Sequence, residues 1–215
     1  MTGSSTSTKY RMVALDLDGT LLQPNHQLSQ PTIEYLRYLH SKGFIVSIAT
    51  GRSAACTFDQ VTDLQFQFPS KLYSYVGIPV ICSNGARGAH IQNISEQDYK
   101  SFVEKPTSNK ENEEIVLHTS HHVQKAHLQL ENLFHDTLLD SVTRKVISLS
   151  LEMPHFLQYY VGLDIYASPK TADHRDFVKR YAKLTGVTQK ICTADFQSAM
   201  EQGLPSKVSF FNLVF

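Results

Sequence analysis

Two aspartates separated by a single residue, Asp16 and Asp18, are the side chains of this sequence best suited to chemistry. They lie in the sequence DLDGT, directly after an apolar run that begins at Met12. A phosphate ester resists attack because its oxygens are negative, so a catalyst must neutralise charge and align a nucleophile. Asp16 could attack phosphorus to form an aspartyl-phosphate. Asp18 could protonate the leaving oxygen and later accept a proton from water.

Two carboxylates this close together repel each other. A bound Mg²⁺ would relieve the repulsion through carboxylate and backbone carbonyl oxygens, so we expect Mg²⁺ as the cofactor. Gly19 follows, where a close backbone turn can expose N–H groups that bind phosphate. The alternative is a pair of turn-forming acids at the end of a strand. An acid near the end of a buried strand is costly without a partner, which favours the functional interpretation.

The segments around these aspartates alternate between strand and helix patterns. A helical spacing of apolar residues begins at Ser29 and ends at Gly43, and a second one runs from Ala54 to Leu64. Short apolar runs predict strands, the first of them buried on both faces, at Met12–Leu17, Phe44–Ala49 and Val80–Cys82. This alternation is typical of an α/β fold with a Rossmann-like, doubly wound parallel sheet.

Ligands of such sheets bind at the edge formed by the carboxyl ends of the strands. Asp16, Asp18, Thr50 and Asn84 are all expected at that edge. Thr50 would donate its hydroxyl to a phosphate oxygen, and a following helix would add a dipole of the right sign. The alternatives are a helix N-cap for Thr50 and a simple turn at Asn84. Arg52 could equally be a surface ion-pair residue.

The pattern changes after Ala86, and we place a second α/β domain at residues 87–215, after an N-terminal part of the first domain at residues 1–86. Residues 95–115 are polar and predicted to form a mobile surface segment. Further predicted elements are helices at His121–Leu138 and Asp173–Leu184 and strands at Val146–Leu151 and Val161–Ala167.

The last residues, VSFFNLVF, are apolar and predict a strand that ends with the chain at Phe215. Domains more often end in a polar, frayed segment, and three parallel strands make a thin sheet. We therefore expect the chain to stop before its first domain is complete.

Composition narrows the possible partners and compartment. Basic and acidic residues are equal in number, 20 each, so no basic excess favours nucleic acid. No stretch has the ~20 apolar residues of a membrane span, and the polar first residues do not form a signal peptide. Three cysteines without paired spacing favour a reducing compartment. We expect a cytoplasmic protein that binds neither nucleic acid nor membranes; its oligomeric state is left open.

Three motifs resemble those of the haloacid-dehalogenase-like hydrolases, and more narrowly the Cof-type sugar-phosphate phosphatases. They are ALDLDGTLL at Ala14–Leu22, IVSIATGRS at Ile45–Ser53 and ICSNGA at Ile81–Ala86. The resemblance implies Asp16 as nucleophile and Mg²⁺ ligand, and Asp18 as acid/base with a metal-binding carbonyl. It also implies an α/β cap domain inserted after Ala86. Substrate-binding positions on this basis are Gly19, Thr50, Gly51, Arg52 and Asn84.

Two features of that family are missing or displaced. Its later acidic motif contains Gly-Asp, which occurs nowhere in this sequence, and Asp173 and Asp176 open a predicted helix instead. Its lysine should open a helix, whereas a strand-like run follows Lys207.

Three functions therefore stay open. The first is a Mg²⁺-dependent phosphatase that acts on a small phosphorylated metabolite, possibly a sugar phosphate. The second is a catalytically inactive fragment or pseudoenzyme of the same family. The third is a phosphotransferase or mutase that uses the same aspartyl-phosphate.

Overall fold

The computed structural model describes residues 11–57, 60, 61, 64, 78–94, 112–116 and 127–211. Strands and helices alternate along much of this part of the chain, which confirms the predicted α/β class. The chain divides into two compact units. The first contains Met1–Ala49, Gln60–Val80 and His90–Glu131, and the second contains Thr50–Asp59, Ile81–Ala89 and Asn132–Phe215. The predicted boundary between residues 86 and 87 stays a prediction.

A six-stranded sheet of order β1-β2-β3-β4-β6-β5 belongs mainly to the segments of the first unit. β1 and β2 are parallel, with Met12 opposite Ile45, whereas β5 and β6 are antiparallel. The strands are β1 at Met12–Leu15, β2 at Ile45–Ala49, β3 at Ile78–Cys82, β4 at Arg87–Ile94, β5 at Asn112–Val116 and β6 at His127–His135. The three strands predicted around the motifs are therefore present.

Helix α1, at Gln30–Ser41, confirms the helix predicted between Ser29 and Gly43. The Ser29 side chain accepts a hydrogen bond of 3.2 Å from the backbone N–H of Thr32, which satisfies one of the free amides of the first turn. Ile33 and Leu36, one turn apart, are buried. Local signals, a cap and an apolar face, are thus sufficient to define this helix.

The prediction that the first strand is buried on both faces is wrong. β1 lies at the edge of the sheet formed by the described strands, and Met12 is 52% exposed. An edge strand has a neighbour on one side only, so its apolar residues are less covered. The fully buried residue of this stretch is Leu17, which follows the strand.

The second unit contains a four-stranded sheet of order β10-β7-β8-β9. β7 pairs antiparallel with β10 and with β8, and β9 runs parallel to β8. Its strands are β7 at Phe156–Val161, β8 at Asp164–Ala167, β9 at Gln189–Ile191 and β10 at Lys207–Phe211. Its helices are α2 at Asp140–Glu152, α3 at Ala172–Thr185 and α4 at Gln197–Met200. β10 confirms the strand predicted after Lys207.

Helix α3 confirms the helix predicted at Asp173–Leu184. Thr171 caps its first turn by accepting from the N–H of His174, and Gly186 ends it at φ 71°. A positive φ favours glycine because it has no Cβ to clash with the backbone. Asp173 lies in the first turn and Asp176 forms an ion pair with Lys179, so both carboxylates have helix-surface roles.

The predicted helix at His121–Leu138 is wrong where the structure describes it, because His127–His135 form strand β6. Residues 121–126 lie outside the described part. β6 pairs with β5 over five residues, with Leu130 opposite Glu113. Strand pairing of this kind depends on a distant partner and overrides the local spacing of apolar residues. The partner, β5, begins within the segment 95–115 that was predicted to be a mobile surface segment, so that prediction is wrong at residues 112–115.

The predicted strand at Val146–Leu151 is also wrong, because these residues belong to helix α2. The buried positions of α2 are Thr143, Ile147 and Ser150, a helical spacing that a short apolar run does not reveal. The predicted strand at Val161–Ala167 is confirmed at Asp164–Ala167, which form β8, whereas Val161 ends β7 and a turn at Gly162 separates the two strands. After Ala49, the described helical residues are a 3₁₀ turn at Ala54–Thr57 and the α-helical positions Gln60, Val61 and Leu64, which agree with the helix predicted from Ala54 to Leu64.

Among the helices of the described residues, none has both the length and the apolar character to cross a membrane.

Candidate functional site

The loop that follows β1 carries the two aspartates. The backbone is extended at Asp16 and Asp18, and then turns at Gly19 with a φ of 75°. The N–H of Leu22 closes the turn by donating to the carbonyl of Leu17 at 2.9 Å. Leu17 is buried whereas both carboxylates are exposed. The loop is therefore anchored by one apolar side chain and presents two carboxylates to solvent.

A short hairpin after this loop contains His26, which the sequence interpretation did not single out. Leu22 and Leu28 form an antiparallel bridge at its base, and His26 has a φ of 61° at its tip. Its Nδ1 lies 3.9 Å from the Oδ1 of Asp18. A protonated imidazole at this distance would attract the carboxylate. No spacing rule links the two positions, so this contact could not be predicted from the sequence.

The residues that follow β2 are fastened to the end of β3. The N–H of Thr50 donates to the carbonyl of Ile81 at 2.8 Å, and the N–H of Ser83 donates to the carbonyl of Arg52 at 2.7 Å. The N–H of Arg52 donates to Thr50 Oγ1 at 3.2 Å. Thr50 is only 6% exposed. We refer to Thr50, Gly51 and Arg52 as the Thr50 segment.

The helix expected directly after Thr50 does not begin there. The first helical residue is Ala54, in a 3₁₀ turn of four residues. Because the helical conformation begins four positions after Thr50, and does so as a 3₁₀ turn, it contributes little dipole at Thr50. The backbone hydrogen bonds of the Thr50 segment, rather than a helix end, fix its conformation.

Gly51 and Asn84 are in close contact within the second unit. A Cβ built on Gly51 would lie 2.7 Å from Asn84 Oδ1. Asn84 has a φ of 58°, a left-handed conformation that asparagine tolerates better than most residues. A residue larger than glycine at position 51 would therefore force the side chain of Asn84 to shift. This contact brings two of the predicted substrate-binding positions together.

Replacing Gly51 by alanine is expected to reduce the free energy of unfolding by about 1–3 kcal/mol, because the new methyl group overlaps the Asn84 amide. Urea unfolding measures the change. The variant Gly51→Ala/Asn84→Ala should recover part of the loss, with Asn84→Ala alone as the reference. A double variant as unstable as Gly51→Ala would show that the strain arises elsewhere.

Lys207, the first residue of β10, contacts the Thr50 segment. Its Nζ donates to the carbonyl of Gly51 at 2.9 Å and lies 5.2 Å from the centre of the Tyr160 ring. Burial lowers the pKa of the Lys207 ammonium. The sequence indicated Lys207 only as a displaced family lysine. A separation of 156 positions between the bonded residues leaves no local signal for the contact.

Within the second unit, hydrogen bonds join the end of β6 to Ala86 and to the segment before β10. The N–H of Asp136 donates to the carbonyl of Ala86, and that of Leu138 donates to the carbonyl of Pro205, both at 2.8 Å. His135 Nε2 and Ser206 Oγ share a hydrogen bond of 2.5 Å. The sequence did not indicate these contacts, because the end of β6 was predicted as part of a helix.

Arg87 is a buried charged residue that the sequence did not indicate. Its described hydrogen bonds join parts of the fold. It is buried, and its guanidinium donates to Asn132 Oδ1 at 2.8 Å and to the carbonyl of Gly162 at 2.9 Å. Hydrogen bonds to a charged group are strong, and they hold the start of β4 to β6 and to the turn after β7.

The buried cysteines near the Thr50 segment have properties of structural thiols. Burial raises the pKa of Cys82 to about 11 and also raises the pKa of Cys56. The thiolate is the nucleophilic form of cysteine, so both are poor nucleophiles at neutral pH.

The predicted site residues fall into the two units. Asp16, Asp18 and Gly19 belong to the first unit, and Thr50, Gly51, Arg52 and Asn84 belong to the second. The described residues contain no group of three or more histidine, cysteine or acidic side chains that could hold a metal ion. Asp16 and Asp18 therefore offer two carboxylates with exposed oxygens rather than a full set of protein ligands.

Comparison with known proteins gives a match over more than half of the chain. The family model of haloacid dehalogenase-like hydrolases matches residues 13–133. An HMP-PP phosphatase of Enterobacter sp. is 45% identical over 42 residues, which are 20% of this chain and 15% of that protein. Because the match covers only 15% of that protein, it does not by itself show that this chain has the same activity.

Solved structures match over a longer stretch at low identity. One is from Bacteroides thetaiotaomicron and is described among phosphatases of the haloalkanoate (HAD) enzyme superfamily. The superposition has a TM-score of 0.58 at 17% sequence identity, and it spans 97% of this chain and 58% of the matched chain. A sugar phosphatase of HAD subclass IIB has a TM-score of 0.55 at 16% identity, covering 90% of this chain and 56% of its own. These matches show the fold, and this chain spans less than two thirds of either structure.

Proposed function

Because the chain belongs to the haloacid dehalogenase-like hydrolase family, we propose that it is a Mg²⁺-dependent phosphatase of a small phosphorylated metabolite, such as a sugar phosphate. The observation that carries the proposal is the loop after β1, where Asp16 and Asp18 are exposed on either side of the buried Leu17. A loop of this kind presents a nucleophile and a second carboxylate without burying either charge.

Asp16 is the proposed nucleophile. Its carboxylate oxygen forms a bond to phosphorus while the bond from phosphorus to the leaving oxygen breaks, which gives an aspartyl-phosphate. Asp18 gives its proton to the leaving oxygen, and then takes a proton from the water that hydrolyses the aspartyl-phosphate. His26, whose Nδ1 lies 3.9 Å from the Asp18 carboxylate, orients that side chain.

Asp16 and Asp18 also fit Mg²⁺. The carboxylate of Asp16 and, as the resemblance implies, the backbone carbonyl of Asp18 are hard oxygen donors, and Mg²⁺ in proteins is usually held by one or two carboxylates with water and phosphate as its other ligands. Binding of Mg²⁺ therefore does not require a group of three or more ligating side chains among the described residues. When bound, Mg²⁺ supplies positive charge that offsets the negative oxygens of the phosphate.

The Thr50 segment is the proposed phosphate-binding part of the second unit. Thr50 Oγ1 accepts from the N–H of Arg52, which leaves the hydroxyl hydrogen available for a phosphate oxygen. Gly51, Arg52, Asn84 and Gly19 are assigned to substrate binding on the same basis, from the resemblance of their motifs. The HMP-PP phosphatase of Enterobacter sp. supports a phosphorylated small molecule as the substrate class.

Residues 1–86 are the proposed N-terminal part of the catalytic domain, and residues 87–215 the proposed cap. The sheet β10-β7-β8-β9, formed entirely after residue 155, supports an α/β cap. A cap excludes water from the phosphorylated substrate and selects its leaving group.

Release of inorganic phosphate from an aryl phosphate, with Mg²⁺ and with EDTA, tests the proposal. We expect release that requires Mg²⁺, with free phosphate and the phenol in equal amounts. Phosphate that appears on an added sugar instead would indicate a phosphotransferase. A folded chain with no release under either condition would contradict the proposed activity.

A further inference from the structure

Lys207 is a cationic side chain to which the proposed mechanism gives no task. It is half-buried at the start of β10, with its ammonium against the Thr50 segment. We propose that Lys207 is a positioning residue that orients the Thr50 hydroxyl through the peptide group between Gly51 and Arg52. The inference rests on the proposed phosphate-binding role of Thr50.

The peptide group between Gly51 and Arg52 is held at both of its polar ends. Its carbonyl accepts from Lys207 Nζ at 2.9 Å, and its N–H donates to Thr50 Oγ1 at 3.2 Å. A trans peptide is planar, with its carbonyl and N–H on opposite sides. The position of the lysine therefore sets the direction of the N–H, and the N–H in turn sets the position of the threonine oxygen.

This arrangement decides what the hydroxyl of Thr50 can do. A hydroxyl has one hydrogen to donate and an oxygen that accepts. With its oxygen already accepting from the Arg52 N–H, the hydroxyl can offer its hydrogen to an anionic oxygen of a ligand. If the peptide group rotated, Thr50 would lose that donor and its hydrogen could turn to a backbone carbonyl instead.

The anchoring of Lys207 suits it to hold a peptide group. The residue pairs with Tyr160 across β10 and β7, and the N–H of the preceding Ser206 donates to the Tyr160 carbonyl at 2.9 Å. Its ammonium lies over the Tyr160 ring, which is itself buried. Backbone and side chain are thus both fixed, so the ammonium has little freedom to move away from Gly51.

The energetics favour a strong bond to Gly51. Among the described residues no carboxylate forms an ion pair with Lys207. The nearby Cys56 thiol, whose pKa burial raises, is protonated and uncharged at neutral pH, so it does not act as a counter-ion for the ammonium. A charge-assisted hydrogen bond is roughly twice as strong as a neutral one. The bond to the Gly51 carbonyl is therefore the principal polar interaction of a desolvated ammonium.

A double-mutant cycle on the affinity for inorganic phosphate, in the presence of Mg²⁺, tests the proposal. Thr50→Val and Lys207→Met should each weaken binding by about tenfold, the loss expected for one hydrogen bond. The variant Thr50→Val/Lys207→Met should bind no more weakly than Thr50→Val, because the lysine acts through the threonine. Lys207→Arg should restore most of the affinity, since guanidinium also donates to a carbonyl.

A second readout does not depend on phosphate. The backbone amide signal of Arg52 in a ¹H–¹⁵N spectrum should move in Lys207→Met and remain in place in the control Lys190→Met. Lys190 is a matched control because it also lies over a tyrosine ring, that of Tyr166, but pairs with Asp164. Near-ultraviolet circular dichroism verifies that each variant is folded.

The outcomes separate the two proposals. If Thr50→Val weakens phosphate binding and Lys207→Met does not, or if the two losses add, Lys207 is not a positioning residue and only this inference fails. If Thr50→Val leaves phosphate binding unchanged, the phosphate-binding role of Thr50 fails, and this inference fails with it. An Arg52 signal unmoved by Lys207→Met also overturns the inference.

Discussion

Asp16→Asn is expected to lower Mg²⁺-dependent phosphate release by at least about 1,000-fold, because an amide cannot replace a carboxylate as the nucleophile at phosphorus. The substitution changes the charge and keeps the size of a side chain that is exposed at the end of β1. We therefore expect little effect on folding. Initial rates with a saturating aryl phosphate measure the loss, and circular dichroism verifies that the variant is folded.

Asp173→Asn is the matched control for that experiment. Asp173 lies in the first turn of α3, where its role is to offset the positive end of the helix. Its substitution should leave the rate within about twofold of the unchanged protein, an effect smaller than one hydrogen bond. If Asp16→Asn and Asp173→Asn lowered the rate equally, the loss could not be assigned to the nucleophile, because the aspartate of α3 or a general loss of structure would explain it as well.

Phe156→Ala is expected to lower the free energy of unfolding of the second unit by about 3–5 kcal/mol, the loss typical of a buried phenylalanine. Phe156 is fully buried at the start of β7. Its ring centre lies 4.9 Å from that of His174, 5.8 Å from that of Phe177 and 5.5 Å from that of Phe211. Truncation therefore removes contacts to α3 and to β10 together and leaves a cavity between them.

Urea unfolding followed by near-ultraviolet circular dichroism measures this change, since Tyr159, Tyr160 and Tyr166 report on the same sheet. Phe210→Ala is the matched control because Phe210, on β10, is 41% exposed. It should cost within about 1 kcal/mol, as expected for a surface substitution. Equal losses for Phe156 and Phe210 would contradict the proposed packing of β7.

The elements that the sequence predicts correctly are those with local signals. α1 has a serine cap and a helical apolar stripe, and α3 ends at a glycine in the left-handed conformation. The secondary-structure type predicted for β6 and for part of α2 is wrong. β6 depends on pairing with β5, and the apolar run within α2 fits a strand as well as a helix when only a few residues are considered.

Some parts of the candidate site can be predicted from local sequence signals, and others cannot. The aspartate motif and the Thr50 segment can be found from the sequence, because each is a short run at the end of a predicted strand. The contacts of Lys207 with Gly51 and of His26 with Asp18 cannot, because they depend on how distant or turned segments fold back. The close contact of Gly51 with the side chain of Asn84 likewise depends on the fold and not on the motif itself.

Chemical trapping of the phosphorylated enzyme tests the central claim most directly. The chain is incubated with Mg²⁺ and a small phosphate donor such as acetyl phosphate, and the acyl phosphate is reduced with borohydride before peptide mass spectrometry. Hydride reduces an acyl phosphate but leaves a free carboxylate unchanged. We predict a reduced residue at Asp16 that is absent without the donor and absent from Asp16→Asn. Turnover of the donor with no reduction at Asp16, or with reduction at another carboxylate, would contradict Asp16 as the nucleophile.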